Sequence, residues 1–241
     1  MQWFLCEICR NFAAIKLSNT AYDKENDFAE CQSAQEQEYG ADTGKCDEGY
    51  PGGWCRNRVD SPGEYEIQGL LSCFACKRTG NKCNGLCAYK DELRPLLEKI
   101  LQADAFVMGS PIYWSYPTGM FRNVIERLLF PILRYDLDEK AGGASKYIDK
   151  RMKTALIYTM NNTPERYDLV NYGTILAPDQ QYMQMMFGSC EVLNVHNTWQ
   201  FPDYSKYDSS AIDIAEKEWY RDNQFPKDLQ AAYELGKRLI E

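Results

Sequence analysis

The sequence predicts an α/β protein built on a parallel sheet, and three observations carry that prediction. Helix-period and strand-like segments alternate from Asp91 to the C-terminus. The strand-like segments are short continuous apolar runs, as expected for strands covered on both faces. The first of them ends in Gly109-Ser110-Pro111, the kind of loop that leaves the carboxyl edge of a buried strand. Residues 1–60 show no such order, so two units are expected: 1–61, and a folded domain over 62–241.

Taken in order, Asp91 can cap a helix whose apolar residues Leu93, Leu96, Leu97, Ile100 and Leu101 follow a 3.6-residue period. Ala103 to Met108 reads as a buried strand and Gly109-Ser110-Pro111 as the loop after it. A second helix is expected over Gly119 to Leu129, stopped by Pro131. Lys153 to Tyr158 (KTALIY) is another buried strand, ending in the turn Asn161-Asn162-Thr163-Pro164. A helix over Ala177 to Phe187 would set Met183, Met185 and Met186 against the sheet. Glu191 to Val195 is a further strand, and Pro226 to Ile240 a terminal helix with proline at its start. Tyr204 to Asn223 is polar and reads as a surface insertion, with Asp213 to Arg221 a solvated helix face.

Composition bounds the functions. The formal charge of -8 argues against a polyanion such as nucleic acid, so a bound phosphate must be held locally by backbone N–H groups. No apolar run reaches the roughly 20 residues that span a bilayer, and Met1 to Leu5 lacks the features of a signal peptide. A cytoplasmic location is the expectation. In that setting the 10 cysteines suggest metal or redox chemistry before disulfides.

The stretch GSPIYWSYPTGMFRNVIERLLFP, Gly109 to Pro131, resembles the flavin-contacting loop and following helix of the NADPH-dependent FMN reductase family. The preceding runs LSCFACKRTG and AYKDELRPLLEKILQADAFVMGSPIYW resemble the same family, including its iron–sulfur flavoprotein branch. The resemblance runs from about Gly63 to Glu241. It implies a flavodoxin-like three-layer α/β/α sandwich with a parallel sheet. It also implies bound FMN, NAD(P)H as electron donor, a small-molecule electron acceptor and a homodimer or higher homo-oligomer. By the same resemblance, Ser110, Pro111, Ile112, Tyr113, Trp114, Thr118 and Gly119 border the flavin, with Tyr113 and Trp114 walling the ring. Thr159, Asn161 and Asn162 resemble the second ring-edge loop. The alternative for Tyr113, Trp114 and Tyr116 is plain packing or a dimer interface.

The family opens with a strand and a phosphate loop, and neither is recognisable here. Only Glu64-Tyr65-Glu66-Ile67 suggests the tail of the second strand. Reading back-translated codons of Asn26 to Asp60 from the second base permits Met-Ile-Leu, then Ser-Pro-Arg-Lys-Asn-Lys-Ser-Thr, then an amphipathic helix. Residues before about Pro62 therefore read as a frame-shifted translation of the family's N-terminus, or else as a divergent extension.

Cys73, Cys76, Cys83 and Cys87 could ligate a [4Fe–4S] cluster or a zinc ion. The branch's compact three-cysteine run is incomplete, however, because Leu70 occupies its first place. Reduced structural or redox-active thiols are the other reading. His196, the sole histidine, reads as structural, and Cys6-x2-Cys9 falls in the anomalous segment. The functional expectation is an FMN-dependent NAD(P)H oxidoreductase. The alternatives are an electron-transfer (iron–sulfur) flavoprotein and an inactive frame-shifted copy that does not take up FMN.

Overall fold

A computed structural model describes residues 66–135, 147 and 151–241. The segment 1–61, with every reading made of it, lies outside those residues. The described chain forms a four-stranded sheet in the order β2-β1-β3-β4. Its strands are β1 (Ala105–Tyr113), β2 (Tyr116–Pro117), β3 (Met152–Thr159) and β4 (Gly188–Val195). β1, β3 and β4 run parallel, in register from Ala105↔Lys153 to Pro111↔Thr159 and from Met152↔Gly188 to Thr159↔Val195. β2 turns back antiparallel on the end of β1.

Among the described residues six α-helices accompany the sheet: α1 (Leu93–Gln102), α2 (Gly119–Ile132), α3 (Pro164–Leu169), α4 (Tyr172–Phe187), α5 (Ile214–Trp219) and α6 (Phe225–Ile240). Successive side chains of β3 point to opposite faces. Leu156 and Tyr158 pack with Leu97 of α1, Phe121 of α2 and Met183 of α4. Ala155 and Ile157 pack with Ala232 and Leu235 of α6. This is the three-layer α/β sandwich of the flavodoxin type. Each fully buried Leu, Ile or Phe contributes about 1.5–3 kcal/mol, so the central strand between two covered faces is the best stabilised part.

β1 is covered less well than β3. Ala105 to Gly109 are half-buried, whereas Thr154 to Tyr158 are buried throughout. Among the described residues, the edge of β1 away from β3 is paired only by β2, at Ile112 and Tyr113.

Several sequence expectations are corrected. β1 does not stop at Met108: Gly109, Ser110 and Pro111 stay in the strand, opposite Ile157, Tyr158 and Thr159. Proline is tolerated in a strand whose outer edge, among the described residues, lacks a full ladder. Pro131 does not end α2 but sits inside its last turn. The Lys77 ammonium donates to the carbonyls of Pro131, at 3.1 Å, and Leu133, supplying partners that the helix end lacks. α4 begins at Tyr172, five residues before the expected start, and runs through Pro178. Met183 and Met186 of α4 are buried, but Met185 is exposed.

Asp91 does not cap α1 with its side chain. Its carboxylate takes two donors from the fully buried Arg127 guanidinium, one at 2.8 Å, while Arg127 also donates to the Gln68 carbonyl at 2.9 Å. Burial opposes the Asp91 charge, but hydrogen bonds from Arg127 and the Gln68 N–H outweigh it and hold the carboxyl below its ordinary range. The polar insertion is corrected as well, since Tyr204 and Lys217 within it are buried.

Candidate functional site

At the carboxyl edge of the sheet, β1 and β3 end as register partners at Pro111 and Thr159, so the segments that follow them emerge side by side. Parallel α/β sheets place ligands at this edge. After β1 the chain makes a two-residue hairpin turn, with Tyr113 opposite Tyr116 and Ile112 opposite Pro117. Both turn residues have left-handed backbones, Trp114 at φ 49° and Ser115 at φ 72°. A tight hairpin demands this geometry, and non-glycine residues adopt it at a cost. The turn holds Trp114 out at 97% exposure, flanked by exposed Tyr113 and Tyr116.

The base of the hairpin is rigid. Ser110 is 1% exposed, and its Oγ accepts from the Thr118 N–H at 3.0 Å while donating to the Pro111 carbonyl at 2.8 Å. Thr118 in turn caps α2, its Oγ1 accepting from the Phe121 N–H at 3.2 Å. A polar chain thus ties the strand end to the helix start across eight residues. A Cβ placed on Gly119 would meet no protein atom within 4 Å. Of the first N–H groups of α2, that of Phe121 is already held by the Thr118 cap, while Gly119 itself stands uncrowded among the described residues.

The second segment is fastened differently. The Met160 N–H donates to the Val195 carbonyl, and the Met160 carbonyl accepts from the Thr198 N–H, each at 3.0 Å. The Asn197 N–H donates to the Asn162 carbonyl at 3.0 Å. Thr159 is buried, Asn162 half-buried and Asn161 exposed. The structure thus brings Ser110 to Gly119 and Thr159 to Asn162 to one edge.

Residues that sequence reasoning missed lie directly behind. Asp179 of α4 is 5% exposed and accepts from Arg122 at 2.6 Å. Burial pushes its carboxyl above the ordinary value, opposed by the Arg122 charge. Burial also pushes the Tyr158 hydroxyl up, and the Asp179 charge adds to it. The only sequence signal was an aspartate within an otherwise apolar and polar-neutral helix. His196 stands edge-on to Tyr167 at 5.2 Å between ring centroids, and burial pulls its pKa down.

The four clustered cysteines occupy two places, apart from Cys190 in β4. Cys73, Cys76 and Cys87 line one narrow apolar cavity with Leu71, Phe130 and Pro131, whereas Cys83 opens on a separate groove beside Lys82 and Arg94. Cys76 and Cys87 are each 7% exposed, and Cys73 is exposed. Among the described residues, no three His, Cys, Asp or Glu side chains are gathered to hold a metal ion. Among the described residues the four thiols are therefore not gathered around one point.

Residues 61–158, which carry β1, the hairpin, α2 and β3, match the model of the NADPH-dependent FMN reductase family. Over that stretch the chain is similar to the NADPH-dependent FMN reductase family. The chain is also similar to curated proteins. The chain is 39% identical over 64 residues to an iron–sulfur flavoprotein of Archaeoglobus fulgidus, covering 27% of this chain and 29% of that protein. It is 26% identical over 81 residues to an iron–sulfur flavoprotein of Methanocaldococcus jannaschii, covering 34% and 39%. The matches thus span well under half the length of either relative. Two solved structures also align. One is an NAD(P)H:quinone oxidoreductase from Methanothermobacter marburgensis, with 15% identity, coverage of 62% and 64%, and a TM-score of 0.41. The other is the azoreductase AzrA, with 15% identity, coverage of 73% and 79%, and a TM-score of 0.43.

Proposed function

We propose that this chain is an FMN-dependent NAD(P)H oxidoreductase that delivers electrons to a small acceptor such as a quinone, a free flavin or a metal ion. The observation that carries the reading is the in-register exit of two fastened loops at the carboxyl edge, within the segment that matches the FMN reductase family. Bound FMN supplies the hydride and electron chemistry, so the protein's task is binding, orientation and exclusion of water. Ile112 to Tyr113 and the α2 N-terminus at Thr118-Gly119 border the ring, with Pro111 and Ser110 as their rigid base. Tyr113 and Trp114 stand where an aromatic wall is needed. Thr159, Asn161 and Asn162 offer backbone and amide groups to the ring's polar edge. The space beside Gly119 fits such a ligand, because no side chain among the described residues fills it.

A [4Fe–4S] cluster does not fit the thiols as arranged, and no step is assigned to one. The exposed aromatic hairpin suits a homodimer contact beside the flavin. Among the described residues no helix is long and apolar enough to cross a membrane, and the acidic charge disfavours nucleic acid. A cytoplasmic small-molecule enzyme is the reading these features support. The domain is taken to begin near Pro62, with the preceding residues a frame-shifted copy of the phosphate-loop region.

The test is titration of the full chain with FMN, followed by NADH or NADPH oxidation in the presence of a quinone. One FMN bound per chain and nicotinamide-dependent turnover are expected. FMN uptake without turnover would turn the reading to an electron carrier. A chain that takes up no FMN would overturn the reading in favour of an inactive copy.

A further inference from the structure

The thiol cavity is not used by the flavin reading, and it has the anatomy of a different chemistry. Cys73 and Cys76 are separated by two residues, Phe74 and Ala75, and a short 3-10 turn, Ala75–Lys77, carries the second cysteine. Two-residue spacing is that of exchangeable dithiols. Their exposures differ as such pairs require: Cys73 meets solvent, and Cys76 is buried at 7%. Both line the same cavity, whose far wall is the buried Cys87.

Two further observations bear on this place. Ser72 (φ 52°) and Phe74 (φ 53°), on either side of Cys73, both hold left-handed backbones that such residues rarely adopt. Cys73 is thus held in a strained bend. Arg127, 1% exposed, has a buried Nε with no hydrogen-bond partner, and its guanidinium interacts with the Cys87 thiol. The Arg127 guanidinium, paired on its other side with Asp91, therefore fixes the Cys87 wall of the cavity in place. The mouth is apolar, with Leu71 and Phe74 exposed beside Cys73.

We propose that Cys73 and Cys76 form a thiol–disulfide exchange site, with Cys73 the attacking thiol, Cys76 the resolving thiol, and a small neutral disulfide bearing apolar groups the substrate. The Cys73 thiolate attacks one sulfur of R–S–S–R. The Cys73–S–R bond forms as the external S–S bond breaks, and the first RS⁻ leaves and takes up a proton. The Cys76 thiol loses its proton to the medium and attacks the Cys73 sulfur, closing the Cys73–Cys76 bond and expelling the second RS⁻. One external disulfide is reduced to two thiols while two cysteines are oxidised, a two-electron exchange. Reverse exchange with a reducing dithiol returns the site.

The experiment adds one equivalent of 4,4′-dithiodipyridine, a neutral aromatic disulfide, to the fully reduced chain under anaerobic conditions. Release of two equivalents of thiopyridone is expected, with a Cys73–Cys76 cross-link found by peptide mapping. Cys76→Ser, or Cys76→Ala should serine disturb the buried position, is expected to stop at one equivalent, with a mixed disulfide held on Cys73. Cys73→Ser is expected to lose the fast phase. Scattering of the reagent over other cysteines would overturn the proposal, as would a cross-link joining Cys76 to Cys87. So would iron and sulfide that purify with the chain and shield these thiols. None of these readings needs FMN, so failure here is distinct from failure of the flavin assignment.

Discussion

Asn197 adopts a left-handed backbone (φ 46°), which asparagine tolerates better than most residues, and commits its N–H and both side-chain polar atoms. Its N–H holds the Asn162 carbonyl, its Nδ2 reaches Glu216 at 3.3 Å, and its Oδ1 accepts from Lys217 Nζ at 2.8 Å. Lys217 also donates to the Thr198 carbonyl at 2.9 Å, and it is 2% exposed. Burial pulls its pKa down to about 8, opposed by the charge of Glu216. The sign of the pH effect follows. Below pH 8 the ammonium is protonated in both folded and unfolded chains, so its burial penalty is constant. Above pH 8 the folded chain releases the proton while the unfolded chain keeps it up to its ordinary pKa, so stability rises with pH across that window. Urea midpoints of the wild type, measured from pH 7.5 to 10, should therefore climb relative to those of Lys217→Met. Parallel curves would show that Lys217 is not the titrating group. None of this was legible in the sequence, because Asp213 to Arg221 carries charge on every face and Asn197 lies 20 residues away.

At the scale of elements, the sequence declared the pieces whose stability is local or fully enclosed. The 3.6-residue spacing of Leu93, Leu97 and Leu101 marks α1, and the apolar run KTALIY marks β3 because that strand is buried on both faces. Boundaries failed where tertiary contact overrides local preference. Gly109, Ser110 and Pro111 are loop residues by type, yet their pairing with β3 keeps them extended. Pro131 is a breaker by type, yet Lys77, 54 residues earlier, satisfies the carbonyl beside it. At the site, Ser110 and Thr118 were visible only through family resemblance, since no periodicity says that a strand-end serine will bond a helix cap. That bond makes Thr118 the hinge point of the element pair. Thr118→Ala should lower stability by about 1 kcal/mol, the usual loss of a threonine N-cap, and Thr118→Ser should restore most of it. Denaturant unfolding of the two variants checks this, and equal loss in both would assign the effect to packing of the threonine methyl instead.

For the molecule as a whole, alternation along β3 divides the core into two clusters, one under α1, α2 and α4 and one under α6. That division was legible from the order of segments alone, because strand–helix alternation leaves few other ways to cover a parallel sheet. The sheet's extent was less so. β1 carries half-buried residues along the edge that the described chain pairs only at its end.

The hairpin at Trp114-Ser115 displays an exposed aromatic ring on a backbone that two non-glycine residues adopt at a cost. Each left-handed non-glycine residue there withholds on the order of 1 kcal/mol or more from the folded state. Asn-Gly, the pair that this turn prefers, would release it. The double variant Trp114→Asn with Ser115→Gly should therefore gain about 1 kcal/mol in global stability by thermal or chemical unfolding. It should also bind FMN more weakly in a titration. A variant that gains stability and keeps full FMN affinity would show the aromatic turn to be dispensable. Stability gained together with FMN affinity lost would make Trp114 a residue that costs the fold and serves the ligand.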